Sequence, residues 1–213
     1  MGSFLNVIIY RLPRGEGFVW GHSRCPHCRR ELAWFELVPL VSYLFLRGTC
    51  RICHERLSLQ YPAIEILSGL FFVVSPSWAM LAVLEIMLIV AVIDFQHLII
   101  LDSLVVALGA VGLILNVMAH TLSWGDIAVT VGSALFFFLL WLRSKGRWIG
   151  FGDVKLMVAL GMVFGFPGTL AILYIAIIGG GIVGVFLLLW GKAHMKTALP
   201  LGTLLACAAG VYI

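Results

Sequence analysis

Polar and apolar positions divide the chain into two parts of different character. Residues 1–61 are polar and basic, whereas the sequence from Tyr61 onward is mostly apolar with short polar or glycine-rich breaks. Apolar runs near 20 residues predict helices that cross a bilayer, because such helices satisfy all of their backbone hydrogen bonds internally. The predicted spans are 62–78, 78–95, 99–119, 126–142, 153–167, 168–190 and 199–213. We therefore predict an all-α polytopic membrane protein with about seven transmembrane helices.

Composition supports this fold class and suggests two domains. Hydrophobic residues make up 62% of the chain and charged residues 11%, with a mean hydropathy of +1.09, which excludes an ordinary soluble domain. The alternating pattern of an outer-membrane barrel is absent from the sequence. We predict a small polar module at 1–61 and a helical membrane domain at 62–213. No cleavable signal peptide is predicted, and no nucleic-acid partner is expected.

The basic residues predict the orientation of the spans. Eight of the 14 Lys and Arg residues lie in the 1–61 module, and the others fall at 143–155 or 192–196. If the module is cytoplasmic, the breaks near 76, 122 and 167 face outward and contain no Lys or Arg, as the positive-inside rule requires. This orientation brings Asp94 and Asp153 to the cytoplasmic ends of their helices.

Two C-x-x-C pairs in the polar module predict a metal site. The pairs Cys25/Cys28 and Cys50/Cys53 are separated by 21 residues, a spacing close to that of zinc ribbons. We predict a structural, four-thiolate Zn²⁺ site in a cytoplasmic zinc-ribbon-like module. Two disulfides, or cysteines packed as small apolar groups, are the alternatives, and a cytoplasmic location disfavours disulfides. Cys207 is expected to be a small core residue.

Two aspartates are the candidate catalytic residues. A carboxylate near hydrocarbon costs on the order of 2.5–3.5 kcal/mol, so Asp94 and Asp153 require an explanation. If they meet, they can share one proton, one acting on water while the other polarises a carbonyl group. The alternative is a pair of interfacial caps that never meet. Gly150 and Gly152 would allow close backbone approach beside Asp153. Lys155 could anchor the helix at the membrane surface or tune Asp153.

The other acidic residues have simpler interpretations. Asp102 and Asp126 are predicted to lie near helix N-termini, where acidic side chains are favourable. Glu85 is expected to be a protonated, hydrogen-bonded structural group within its span, with Asn116 or Ser133 as candidate partners. Gly165 opens a glycine- and proline-containing tight turn between two spans.

Several segments, in order along nearly the whole chain, resemble the bacterial type IV prepilin peptidases, a family of GxGD-type intramembrane aspartic proteases. They are Gly2–Pro13, Ser23–Pro26, Trp34, Pro39, Ser42–Tyr43, Leu46–Gly48, Cys50, Tyr61–Glu65, Asp94–Asp102 and Gly150–Leu156.

This resemblance implies a function and a location. It implies an endopeptidase of the bacterial inner membrane that removes the basic leader of type IV prepilins, or of type II secretion pseudopilins, at the cytoplasmic face. The catalytic pair of the family matches Asp94 and Asp153. Members with the four cysteines often also N-methylate the new N-terminus with S-adenosylmethionine, for which we assign no residues. We expect Glu36 and Glu65 to contact the basic leader.

The sequence departs from the family pattern in three places. Members usually have an apolar helix before the motif that begins at Gly2, whereas this sequence begins at that motif. The Ile-Pro-Asp of the family is Ile100-Leu101-Asp102 here, and 199–203 replaces a proline-phenylalanine-glycine-proline run. Two other classes of protein compete with a peptidase: a proton- or cation-coupled transporter using Glu85 and the aspartates, and a non-catalytic scaffold for pilus or secretion assembly.

Overall fold

The computed structural model describes residues 2–17, 23–25, 27–119, 123–190 and 200–213. These residues form two compact units, Met1–Pro76 and Ser77–Ile213. No β-strand occurs in the described part of the chain, which confirms the all-α fold class. The predicted breaks near 122 and at 191–198, with Lys192 and Lys196, lie outside the described residues.

The first unit combines three helices with the loops that carry the cysteines. Its helices are α1 (Gly2–Arg11), α2 (Val41–Phe45) and α3 (Gln60–Val74), with 3-10 turns at Leu12–Arg14 and Trp34–Leu37.

Helix α1 packs along α3, and this pairing was not predicted. The two helices come very close at Gly2, where a methyl group would lie 2.7 Å from the Cα of Glu65. The side chain of Asn6 donates to the carbonyl of Tyr61 at 3.3 Å. Helix α3 therefore packs within the first compact unit, although its apolar sequence lies in the predicted membrane domain 62–213. That domain division stays a prediction. The apolar run of α3 suits a membrane span, but an apolar run does not identify the helix on which it packs.

The described residues of the second unit form five helices. They are α4 (Trp78–His97), α5 (Asp102–Ala119), α6 (Trp124–Ser144), α7 (Phe151–Leu189) and α8 (Leu201–Tyr212). Helix α7 packs against α5, α6 and α8, and α4 packs against α5 and α8.

Side-chain caps mark where two of these helices begin. The hydroxyl of Ser77 accepts a hydrogen bond from the N–H of Met80 at 3.2 Å and starts α4. Ser123 and Asp126 form a reciprocal capping box at the start of α6. This confirms Asp126 as a capping residue. Its other oxygen accepts the N–H of Phe166 at 2.7 Å and so attaches α6 to the middle of α7.

Helix α7 reverses direction at its centre. Gly165, with φ of 54°, and Phe166 have non-helical backbone angles just before Pro167. The hydroxyl of Thr169 donates to the carbonyl of Leu160 at 3.4 Å, although nine residues of continuous helix would separate them by about 13 Å. The predicted turn between the spans 153–167 and 168–190 is therefore confirmed.

The helix termini of the second unit form two groups, one at each end of the unit. Hydrogen bonds and ring packing connect the end of α4, the starts of α5, α7 and α8, and the end of α6 at one end of the unit. The start of α6 meets the turn of α7 at the opposite end. The basic residues Arg143, Lys145, Arg147 and Lys155 lie at the first end. Charge counting along the sequence thus predicted which helix ends would lie together.

The lengths of the apolar helices agree with those of a membrane protein. Helices α4, α6 and α7 are long and apolar enough to cross a bilayer, while α3, α5 and α8 are apolar but shorter. Each predicted span coincides with a helical segment, with α7 supplying two of them.

Candidate functional site

Two loops with the same backbone hydrogen bonds carry the four clustered cysteines. In each loop the N–H of the first cysteine, Cys25 or Cys50, donates to the carbonyl five residues later at 2.9 Å. The carbonyl of the same cysteine accepts the N–H four residues later at 3.0 Å. That later residue, Arg29 or His54, has a positive φ of 58° or 55°. The local sequences therefore fold into two equivalent knuckles.

The knuckles bring four sulfur atoms together. The Sγ atoms of Cys25, Cys28, Cys50 and Cys53 all lie within 4.8 Å of one another, and those of Cys25 and Cys53 are 3.9 Å apart. Backbone N–H groups of Cys53 and Ile52 lower the pKa of the Cys50 thiol to about 6, which favours the thiolate that a metal requires. Four thiolates at this separation match the donor set of a tetrahedral metal site. This cluster could hold a metal ion.

Two glutamates of the first unit have internal partners. Arg30 donates to Glu36 Oε2 at 2.9 Å, and this guanidinium holds the pKa of the Glu36 carboxyl below its ordinary value. Glu65 accepts the N–H of Leu40 at 2.8 Å and the hydroxyl of Ser3. Both carboxylates therefore tie segments of this unit together. We no longer expect them to recognise a basic leader.

Asp94 lies in the last turn of α4, where it is 5% exposed. Its Oδ2 accepts the backbone N–H of Thr203 at 2.8 Å and the Thr203 hydroxyl at 3.2 Å. A methyl group at Gly202 would lie 2.9 Å from the same oxygen, so the start of α8 is in direct contact with this carboxyl. Helix α8 thus encloses Asp94 and supplies its hydrogen bonds.

Asp153 lies in the first turn of α7, where it is 8% exposed. Its Oδ2 accepts the N–H of Gly150 at 3.0 Å, which closes the start of the helix. The location at a helix N-terminus suits a negative charge. Asp153 is therefore buried, oriented by its own helix and held within the GxGD segment.

The structure brings the two aspartates together. Ile100 packs against Gly152, the residue before Asp153. A methyl group placed on Gly152 would lie 2.9 Å from the Cβ of Ile100. The end of the same side chain lies beside Gly202 and therefore beside Asp94. The segments that carry Asp94 and Asp153 therefore meet around the Ile100 side chain at one end of the unit. That the two carboxyls act as one pair stays a prediction.

Lys155 pairs with Asp102, not with Asp153. Its ammonium donates to the two carboxylate oxygens of Asp102 at 2.7 and 2.8 Å and lies 5.1 Å from the centre of the Phe151 ring. The pair connects the start of α5 to the start of α7, with Lys155 two residues after Asp153 in the sequence. Lys155 therefore supports the α7 segment through a neighbouring helix.

The suggested partners of Glu85 form other hydrogen bonds. Glu85 is buried in α4. The Asn116 amide donates to carbonyls of Gly112 and Met162, and the Ser133 hydroxyl donates to Thr130. Both residues therefore direct their donors to backbone carbonyls.

Sequence reasoning missed Gly202, Thr203 and Ile100 as neighbours of the aspartates. Ile100 and Gly202 are apolar positions without distinctive chemistry. Thr203 lies 109 residues from Asp94 along the chain. The departure from the family pattern at 199–203 was expected to touch neither catalytic position, whereas Thr203 donates to Asp94.

The fold and the site define a class of protein: a polytopic helical membrane protein with two buried aspartates brought together at one end of its helices. The chain belongs to the type IV leader peptidase family, a family of proteases, which it matches over residues 80–185. Residues 1–79 match the bacterial peptidase A24 N-terminal domain. These matches favour a protease over a transporter or a scaffold.

Curated relatives agree over nearly the whole chain. The prepilin leader peptidase/N-methyltransferase of Pectobacterium carotovorum subsp. carotovorum is 32% identical over 238 residues, covering 94% of this chain and 84% of the relative. Proteins of the same name from Aeromonas hydrophila and Stutzerimonas stutzeri are 30% and 32% identical, each covering 99% of this chain and 86% of the relative. No solved structure matches this chain.

Proposed function

We propose that this protein is an aspartic endopeptidase that cleaves the basic leader of type IV prepilins or type II secretion pseudopilins. The observation that carries the proposal is the burial of Asp94 and Asp153 together at one end of the helical unit. The family and the names of the relatives support the substrate class. From the distribution of basic residues, we propose that the four-cysteine module and the aspartates face the cytoplasm of a bacterial inner membrane.

The proposed mechanism uses the two carboxyls as one acid–base pair. We propose that the two carboxyls share one proton, because two neighbouring carboxylates would repel each other. The ionised carboxyl removes a proton from water, and the resulting nucleophile attacks the scissile carbonyl. The protonated carboxyl donates a hydrogen bond to that carbonyl oxygen and then its proton to the developing tetrahedral oxyanion. The carboxyl that took the proton from water then protonates the amide nitrogen, and the other, now ionised, carboxyl removes a proton from a hydroxyl of the intermediate. The C–N bond breaks, the acid and the amine are released, and the dyad again holds one proton.

Cleavage of a model prepilin by the purified protein in nanodiscs tests this mechanism. Asp94→Asn and Asp153→Asn should each reduce cleavage by at least about 10³-fold, because removing one member of an acid–base unit disables both steps. Asp126→Asn is the control for removing a carboxylate at the opposite end of the unit; asparagine keeps one of the two accepting oxygens there, so folding is measured alongside cleavage. Full cleavage by either dyad variant, with folding intact, would refute the assignment.

We propose that Cys25, Cys28, Cys50 and Cys53 bind a structural Zn²⁺. Four thiolates leave no coordination position for water, so the ion would hold the two knuckles together and take no part in cleavage. Metal analysis should find one zinc per protein, reduced severalfold in Cys50→Ser and unchanged in Cys207→Ser, the cysteine outside the cluster. Equal zinc content in these two variants would contradict the assignment.

N-methylation of the new N-terminus is a second proposed activity. The names of the relatives support it, and its methyl donor would be S-adenosylmethionine. No group of described residues is assigned to that cofactor, and we derive no step through it. Mass spectrometry of the cleaved pilin, with and without S-adenosylmethionine, tests this activity. An unmethylated product under both conditions would limit the protein to proteolysis.

A further inference from the structure

Helix α8 contacts Asp94 through Gly202 and Thr203, and Thr203 donates the hydrogen bonds. The backbone N–H of Thr203 donates to Asp94 Oδ2 at 2.8 Å. The Thr203 hydroxyl lies 2.9 Å from the carbonyl of Ala91 and 3.2 Å from the same Asp94 oxygen, so its single hydrogen serves one of them at a time. The N–H is therefore the constant donor to the carboxyl, and the hydroxyl attaches α8 to the last turn of α4.

The helix itself does not need this N–H. Thr203 is the third residue of α8, and the first N–H donated within this helix start is that of Leu204, to the carbonyl of Pro200 at 3.2 Å. The first N–H groups of a helix have no partner inside the helix. Here Asp94 accepts one of them, and the N-terminus of α8 adds a partial positive charge.

Both carboxyls of the proposed dyad are held in the same manner. Oδ2 of Asp94 accepts from Thr203 in α8, and Oδ2 of Asp153 accepts from Gly150 before α7. Because one oxygen of each carboxyl is engaged by a backbone donor, the Oδ1 atoms are left for water and substrate.

We infer that Thr203 is a positioning residue, which holds Oδ2 of Asp94, directs Oδ1 toward the reaction and stabilises negative charge on this carboxyl. The inference rests on the proposed function for its effect on cleavage, but the hydrogen bonds themselves can be tested without it. Other ionisable residues lie on the helices around this carboxyl. Asp153 faces Asp94 from α7, and Asp102 at the start of α5 is paired with Lys155. The ionisable residues within α8 are Cys207 and Tyr212, of which Tyr212 lies at the far end against Gly168.

The pH dependence of Asp94 labelling by a hydrophobic carbodiimide measures this effect directly, because the reagent modifies protonated carboxyls. Labelling would be read by mass spectrometry on the full chain in nanodiscs, in an Asp153→Asn background that removes the second carboxyl. Thr203→Ser keeps both donors, Thr203→Val removes the hydroxyl, and Thr203→Pro removes the hydroxyl and the N–H. Thr169→Val is the matched control, since this buried threonine donates to Leu160 instead.

We expect the labelling midpoint to move to higher pH in a fixed order. Loss of a donor to the charged form shifts a carboxyl by about one pH unit per hydrogen bond. Thr203→Pro should therefore shift the midpoint upward by about one unit or more, with a smaller upward shift in Thr203→Val. Thr203→Ser and Thr169→Val should keep the parental midpoint. Proline is compatible with the first helical turn, and Thr203→Val provides the test if the proline variant does not fold.

Cleavage measured with Asp153 present completes the test. The acidic limb of kcat against pH should move upward in Thr203→Val and return in Thr203→Ser. Unchanged labelling midpoints in Thr203→Val and Thr203→Pro would overturn the inference, as would an unchanged midpoint in Thr203→Val alone if Thr203→Pro does not fold. Lost cleavage without any shift in midpoint would overturn it too. A shifted midpoint in a protein that cleaves no prepilin would support the role of Thr203 at Asp94 and refute the proposed function alone.

Discussion

Replacing Gly202 with alanine tests how closely α8 must approach Asp94. A methyl group at Gly202 would lie 2.9 Å from Asp94 Oδ2 and 3.1 Å from both the Asp94 Cγ and the Ile100 Cδ1. Ordinary van der Waals contacts begin near 3.4 Å, so the carboxyl or the helix must move by about half an ångström. Because the closest atom belongs to the proposed catalytic carboxyl, the change should affect catalysis more than folding.

The magnitude follows from this displacement. A misplacement of about 1 Å can cost on the order of 10²-fold in rate, so half an ångström should lower kcat about 10-fold, or about 1.4 kcal/mol. Crowding costs about 1–3 kcal/mol of stability, and the higher helix propensity of alanine returns up to about 1 kcal/mol. Gly202→Ala should therefore fold, bind substrate with nearly unchanged KM and turn over slowly.

Gly210→Ala provides a matched control in the same helix. No atom lies within 4 Å of a methyl group at Gly210, so this variant should keep wild-type kcat and an equal or slightly higher unfolding temperature. The assay compares kcat, KM and thermal unfolding of both variants with a model prepilin in nanodiscs. A kcat for Gly202→Ala within twofold of that for Gly210→Ala would show that α8 does not confine the carboxyl.

Three further perturbations probe other parts of the molecule. Gly161→Ala would place a methyl group 2.4 Å from the Thr130 Oγ1 of α6 and should destabilise the protein by about 1–3 kcal/mol. Gly179→Ala is its control, because a methyl group there meets no atom within 4 Å. Equal unfolding temperatures of these two variants would contradict this packing. Asp102→Asn breaks a partly exposed ion pair and should cost at most about 1 kcal/mol, so a larger loss on thermal unfolding would mean that the pair does more than connect two helices. The pKa of Glu36 is lowered below its ordinary 4.5, so its stabilising effect is complete above that pH and is lost as the pH falls through the lower value. Hydrogen exchange, corrected for intrinsic rates, should therefore show greater protection in wild type than in Glu36→Gln at pH 7 and equal protection in strong acid. A difference that does not depend on pH would refute the ionic origin.

Local patterns predicted the elements of the site well. The two C-x-x-C pairs predicted the thiolate cluster because each pair fixes two sulfurs within one short loop. The order of apolar runs and basic breaks placed Asp94 and Asp153 at the same end of the helices. A break containing glycine and proline predicted the reversal of α7 at Gly165. In each case the physical cause lies within a few residues or in the partition of whole segments between lipid and water.

Tertiary partners could not be predicted in the same way. The sequence offered Lys155 as an anchor or a tuning group for Asp153, and its actual partner Asp102 is 53 residues away. Thr203 reaches Asp94 over 109 residues, and no periodicity relates the two. The pairing of α1 with α3 was missed for a similar reason, because α1 is a short apolar segment within a largely polar module. Apolar helices show that they are buried, but they do not identify their partners.

Asp153 and Asp94 lie at helix ends of opposite polarity. Asp153 occupies the first turn of its own helix, so the α7 dipole favours negative charge there. Asp94 occupies the last turn of α4, where the dipole of its own helix opposes negative charge. The N-terminus of α8, with the N–H of Thr203, offsets this disadvantage from outside α4. One negative charge can therefore be held on either carboxyl, as the proposed exchange of a proton between them during turnover would require. Because Asp94 depends on a separate helix for this balance, disturbing α8 should affect Asp94 first and leave the local geometry of Asp153 intact.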